Sequence, residues 1–296
     1  AAGDLIRRGV AGGLAGSGVA ELSAKVEALV VDGLGASFPD LAVVGRGGAC
    51  AGQPSQQEED EEGVEAAADL AEFMTSSGKL PVEWGVVELD EITVWVDPLE
   101  GALDLMGGAT ETVAVLVGMA VDGIPTAGAI HLPFHFPTST TNETTATVTE
   151  CRGRTLWGAE SLGLYSGNKL HYSDNVLPLG CRVVALAPGG GGGGEAAGRL
   201  AALHPDKVVE ASGAGRVTAM LLDGRVTHWV CPERATGKWD MCAAEALLRI
   251  AGGNLVDREG HNYDYSRGCR LGNEVGVVAV ASQRAWKACA EAYGWK

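Results

Sequence analysis

Asp97 and Glu100 are the side chains best placed for chemistry, because both close an apolar run, Val94-Trp95-Val96-Asp97-Pro98-Leu99-Glu100, just before Gly101-Ala102. The run reads as a buried strand, and the glycine reads as a turn. Carboxylates at a strand end offer the hard oxygen donors that a divalent cation takes. A further acid, Asp240, stands in Lys238-Trp239-Asp240, where a helical stretch opens that ends at Ala251-Gly252-Gly253. Brought together, three carboxylates can hold a divalent metal ion. Each acid also has a plainer reading. Asp97 suits an Asx-turn before Pro98, and Asp240 suits a helix cap.

The elements that must carry these acids follow from periodicity. Helices are expected over 4–10, 20–36, 64–74, 195–203, 215–222, 240–250 and 282–293. Strands are expected over 41–44, 92–96, 112–121, 126–132, 144–151, 155–159, 182–187, 208–211, 227–231 and 277–281. The closely spaced strands between 112 and 159 imply an antiparallel sheet. From about residue 176 strands and helices alternate, as in an α/β unit. Two parts are expected: 1–175, with helices and an antiparallel sheet carrying Asp97, and 176–296, an α/β half carrying Asp240.

Composition narrows the partners. The chain has 296 residues, 46% of them hydrophobic, and its 22 Lys+Arg against 38 Asp+Glu leave a formal charge of −16. Such an acidic chain is a poor candidate for sequence-independent nucleic-acid binding, which needs a basic face, and could bind a polyanion only through a local basic pocket. No apolar run approaches the ~20 residues of a membrane span. Seven cysteines without a CxxC pair point to reduced thiols and an intracellular, reducing compartment, cytoplasm or organelle matrix alike. The chain begins at Ala1, and is read as processed, trimmed or incomplete.

The two acid motifs, with Gly153-Arg154-Thr155-Leu156-Trp157-Gly158 and Gly213-Ala214-Gly215 between them, resemble a magnesium-dependent phosphatase superfamily. It includes inositol monophosphatase, fructose bisphosphatase and the 3'(2'),5'-bisphosphate nucleotidases, and the likeness is greatest to the last. The resemblance implies a mixed α+β and α/β fold, a layered αβαβα sandwich of the inositol monophosphatase type. It implies metal ligands at Asp97, Glu100 and Asp240, and substrate contacts at Gly213 and Gly215.

Four departures bear on activity. The family's Asp-Pro-Leu/Ile-Asp-Gly-Thr has become Asp97-Pro98-Leu99-Glu100-Gly101-Ala102. Glu100 adds a methylene, displacing the carboxylate by up to roughly 1.5 Å, and a misplacement of ~1 Å can cost about 100-fold in rate. Ala102 has no hydroxyl to orient a water. Arg46 follows Val43-Val44-Gly45 where the family carries a metal-binding Glu. One unit-charge pair at ~4 Å is worth about 4 kcal/mol at an effective dielectric of ~20, so the reversal repels a cation or supplies the acids with a counterion. Ser23 falls where the family places a water-orienting Asp.

Other features weigh less. The acid run from Glu58 to Glu62 reads as solvated charge. The glycine run 189–194 reads as a loop without fixed conformation. His131 and His135 form no tight ligand set. The expectation is a bisphosphate-nucleotidase-like pseudoenzyme with a structural, scaffold or regulatory role. It would require no cofactor and serve an unidentified protein partner or larger assembly. The rival is a slow or retuned magnesium-dependent bisphosphate nucleotidase or inositol-phosphate phosphatase. A third reading is a phosphate or nucleotide sensor with Arg46 as the anion contact.

Overall fold

The computed structural model describes residues 1–13, 17–50, 87–135, 151, 153–171, 177–178, 180–187, 195–231 and 236–295. The acid run 58–62, the helix expected over 64–74, most of the strand expected over 144–151 and the glycine run 189–194 lie outside them.

Two sheets divide the strands. The larger has the order β2-β1-β3-β4-β5-β6-β7-β8. Its strands are β1 (Ala42–Gly45), β2 (Gly48–Cys50), β3 (Ile92–Glu100), β4 (Ala114–Val121), β5 (Ile124–Leu132), β6 (Arg154–Ala159), β7 (Gly163–Ser166) and β8 (Lys169–Leu170). Pairing is antiparallel except between β1 and β3. The smaller has the order β10-β9-β11-β13-β12. It comprises β9 (Val183–Leu186), β10 (Lys207–Glu210), β11 (His228–Cys231), β12 (Asn254–Asp257) and β13 (Val277–Val280). Here β9 runs parallel to β10 and β11, while β13 is antiparallel to β11 and β12.

Seven α-helices among the described residues complete the layers. They are α1 (Ala2–Ala11), α2 (Ser17–Ser37), α3 (Ala102–Met106), α4 (Glu195–Ala202), α5 (Ala214–Leu222), α6 (Lys238–Ile250) and α7 (Gln283–Tyr293). Alternation along single strands sets the stacking. Val94 and Val96 face α2 with Val31 and Val43, whereas Trp95 enters the central core with Met241 and Leu247 of α6. Val183 and Ala185 join that core, while Val184 and Leu186 turn the other way, towards Leu203, Ala285 and Cys289. The order is α1–α2, large sheet, α5–α6, small sheet, α4–α7. That is the expected αβαβα sandwich.

Helix α6 fixes Asp240 over the large sheet, and two glycines let it approach. A Cβ on Gly118 would stand 2.4 Å from the Ala243 nitrogen, and one on Gly128 would stand 2.8 Å from the Ala243 oxygen. Strand β3 runs on to Glu100, past the expected end at residue 96. The short strands β7, β8 and β12 were not expected. No described helix is long and apolar enough to cross a membrane.

Candidate active site

The end of β3 is irregular, and the irregularity gathers the acids. Residues three apart on a regular strand point to opposite faces. Asp97 pairs with Leu116, but Glu100 pairs with Ala114, so the register slips by one residue between them. This bulge at Pro98 and Leu99 re-aims Glu100 to the side of Asp97. Asp97 is 1% exposed, and Glu100 and Asp240 are also buried. An Asp97 carboxylate oxygen accepts from the Leu99 N–H at 3.1 Å. An Asp240 oxygen accepts from the Gly237 N–H at 2.7 Å. The plainer turn and cap roles are therefore real, and both acids also converge with Glu100.

The opening of α6 is braced from below. Lys238 Nζ donates to Asn273 Oδ1 at 2.7 Å and lies 4.6 Å from the centre of the Tyr263 ring. The Asn273 amide donates to Thr236 Oγ1 and to the Gly237 carbonyl. These bonds fix the turn from which Asp240 enters the site. In front lies a cleft of about 480 Å³, bordered by Arg46, Gly237, Trp239, Asp240, Asn273 and Glu274.

Arg46, at the β1–β2 turn, reaches into this cluster. Its Nη2 donates to Asp97 Oδ2 at 3.0 Å, although the side chain remains 56% exposed. Burial alone would lower the arginine pKa, but Asp97, then Asp240 and Glu100, hold it raised. The guanidinium bonds one acid rather than two. Glu100 turns away from it: its two oxygens accept from the Ala214 and Gly215 N–H groups at the start of α5, the second at 2.8 Å. Burial, then the Asp97 charge, pushes the Glu100 pKa up to about 8 against these amides and Arg46. The Asp240 pKa is also raised, by burial first, then by its hydrogen bond to Asp97 and the charges of Glu100 and Asp97.

The other expected positions fall as follows. Ala102 opens α3 and packs on the cluster of Leu99 and Leu105. Ser23 is half-buried on α2 and makes no hydrogen bond to the three acids among the described residues. Gly213 caps α5 with φ 83°, and the Gly215 N–H is already taken by Glu100. His131 pairs with Thr155 at 2.8 Å, and burial, then Arg7, pushes its pKa down to about 4. It is a partly buried histidine on β5, tied to β6, and not a ligand of the acid site. Six described cysteines are free. Sequence reading missed Thr112, whose hydroxyl is buried near Gly101 and has no hydrogen-bond partner among the described residues. A threonine entering a Val- and Ala-rich strand reads only as a strand residue.

Asp97, Glu100 and Asp240 retain the oxygen donors that magnesium takes, so their donor chemistry fits the ion. The place held by Arg46 does not, because a cation stands there.

Comparison with known proteins agrees with the fold and the motifs. The model of the inositol monophosphatase family matches residues 13–293. The chain is 28% identical over 291 residues to 3'(2'),5'-bisphosphate nucleotidase 1 of Homo sapiens, covering 94% of this chain and 86% of the relative. It superposes on inositol monophosphatase-II of Staphylococcus aureus with a TM-score of 0.68 at 14% identity, covering 99% of this chain and 89% of the other. For inositol monophosphatase from Anabaena the TM-score is 0.62 at 16% identity, covering 98% and 90%. These matches overturn the expectation that no cofactor is required, since inositol monophosphatases and bisphosphate nucleotidases are magnesium-dependent. The physical reason lies in the acids: three buried carboxylates still converge and offer the oxygen donors that a hard cation takes.

Proposed function

We propose, from the premise that this chain belongs to the inositol monophosphatase family, that its phosphomonoester turnover is lost or strongly reduced. Its role is then structural, as a scaffold or regulatory component for a protein partner. One observation carries the reading: the Arg46 guanidinium is ion-paired at 3.0 Å to Asp97, the most buried of the three acids. Magnesium bound here would be held by Asp97, Glu100 and Asp240, and supplies positive charge to phosphate oxygens. The chain's own residues do less for the reaction than the family pattern requires. Ala102 orients no water. Arg46 neutralises the carboxylate beside it and can attract a phosphate, but it cannot accept a proton. Leu103 and Met106 on α3 are 83% and 53% exposed, and these apolar side chains beside Ala102 favour contact with a protein.

A second reading has its own support. All three acids persist, together with the cleft, which favours a slow or retuned magnesium-dependent bisphosphate nucleotidase or inositol-phosphate phosphatase. Phosphate release from adenosine 3',5'-bisphosphate and inositol phosphates, measured with magnesium, separates the two. The proposal expects turnover well below about 1 per second. Magnesium-dependent turnover at or above that rate replaces it with the second reading.

A further inference from the structure

Helix α1 packs on the large sheet, and its contact with β5 holds a titratable group that the acid site does not use. Ile6 of α1 is fully buried in the cluster of Leu99, Leu105, Val115 and Phe134. Gly3, also buried, lies against the His131 ring, where a Cβ would run into Nε2. On another side of the ring stands Gly153, just before β6. A Cβ on Gly153 would be 2.8 Å from Arg7 Nη1 and 3.0 Å from His131 Cε1. Arg7 is pinned there, its Nη1 donating to the Pro133 carbonyl at 3.2 Å. The imidazole of β5 and the guanidinium of α1 thus meet at one glycine.

One nitrogen of the ring is served and the other is not. Nδ1 pairs with Thr155 Oγ1 at 2.8 Å, whereas Nε2 is buried with no hydrogen-bond partner among the described residues. Protonation puts a hydrogen on both nitrogens, so Nε2 would then face α1 as a charged donor without an acceptor. Burying such a donor is costly. The charged groups that face the ring are Arg7, the Ala1 amino group and Asp4, all from the α1 side. Asp4 is the acid among them, and it is bonded to Arg7. On the sheet, the register partners of His131 are Val115 of β4 and Thr155 of β6, which carry no charge. Burial, then Arg7 and the amino group, push the imidazole pKa down to about 4 from its ordinary 6.5, against Asp4.

We propose that the contact between α1 and β5 is an acid-sensitive latch: His131 stays neutral while α1 is docked, and taking up a proton from solvent releases α1 and uncovers the apolar cluster that contains Leu99. The docked imidazole holds a proton less tightly than the released one. Docking is therefore fully supported above pH 6.5 and weakens as pH falls from 6.5 towards 4. Between pH 7.5 and 5.5 the opening equilibrium of α1 rises about tenfold. Leu99 stands between Asp97 and Glu100, so release removes packing from the strand end that carries both acids. The latch does not depend on the reading of reduced turnover.

Hydrogen exchange of the α1 amides from Leu5 to Ala11, corrected for the intrinsic effect of pH, measures the opening. Native protein should open α1 about tenfold more at pH 5.5 than at pH 7.5. His131→Asn keeps a polar partner for Thr155 and takes up no proton, so its α1 opening should not change over that range. Imidazole NMR reads the same claim without that variant: native His131 should stay neutral down to pH 5. Gly3→Ala, which wedges α1 off the ring, should bring the His131 midpoint up towards 6.5. A native His131 that titrates near 6.5 overturns the proposal. So does a Gly3→Ala midpoint left near 4, a native α1 opening that ignores pH, or one equally pH-dependent in His131→Asn.

Discussion

Glu100 and Glu245 are both buried glutamates with raised pKa, yet their surroundings give them opposite characters. Glu245 lies on α6, five residues beyond Asp240, and is fully buried. Its Oε2 accepts from the Tyr265 hydroxyl at 2.8 Å, and Arg249 approaches its other oxygen at 3.7 Å. Tyr265 stands edge-on to Trp95, whose indole N–H donates to the Tyr265 carbonyl. Glu245 is thus held by side chains locked into the central core. Glu100 is held by two backbone amides, beside an arginine that is more exposed than buried. The first environment is rigid and serves the fold. The second rests on a single side chain reaching two amides, beside Arg46, which borders the cleft. Burial of a charge by itself therefore does not mark a functional residue; the nature of its partners does.

Breaking the rigid side should cost the most. Glu245→Ala removes the acceptor of a buried hydroxyl and leaves a hole, and should lower unfolding free energy by about 3 kcal/mol. Urea denaturation measures it, and phosphate binding of the folded variant should be unchanged. The pH dependence of stability sharpens the same contrast. Burial raises the Glu245 pKa to about 7 from its ordinary 4.5, against its bonds to Tyr265 and Arg249. The folded state therefore holds the proton more tightly. This stability is fully present below pH 4.5 and is lost as pH rises through 7. Unfolding followed from pH 4.5 to 8 should show native protein losing on the order of 2 kcal/mol more than Glu245→Gln.

On the open side the effect should be smaller and should respond to magnesium. Arg46→Glu adds a fourth acid to the cluster and should cost about 1–2 kcal/mol without metal. Added magnesium should then raise its melting temperature by linkage. A variant that is neither destabilised nor sensitive to magnesium means that Arg46 is not the counterion of this site. The smallest change expected is in Tyr265→Phe, about 1 kcal/mol, because one hydrogen bond goes and the ring packing stays.

Much of this was legible in the sequence, for identifiable reasons. Helices α2, α6 and α7 and strands β4, β5 and β9 announce themselves by apolar periodicity. Asp97, Glu100 and Asp240 stand in motifs whose turns and glycines are local. Arg46 could be placed near the acids only through the resemblance, in which Val43-Val44-Gly45-Arg46 stands where the family carries a metal-binding Glu. Strands β7, β8 and β12 escaped notice, since they span four, two and four residues and depend on neighbours for their pairing. The contact from Glu100 to Ala214 and Gly215 spans more than a hundred positions and depends on a one-residue bulge. No local pattern encodes it. The idle hydroxyl of Thr112 exists only once Gly101 and Gly213 have closed around it.

The central claim is that Arg46, Glu100 and Ala102 hold this family fold away from ordinary turnover. Its most direct measurement is magnesium-dependent phosphate release from adenosine 3',5'-bisphosphate by the triple variant Arg46→Glu, Glu100→Asp, Ala102→Thr beside the native protein. The account predicts that the variant, folded to the same circular-dichroism spectrum, exceeds the native rate by about 100-fold or more. A native protein that already turns over as fast as the variant contradicts it.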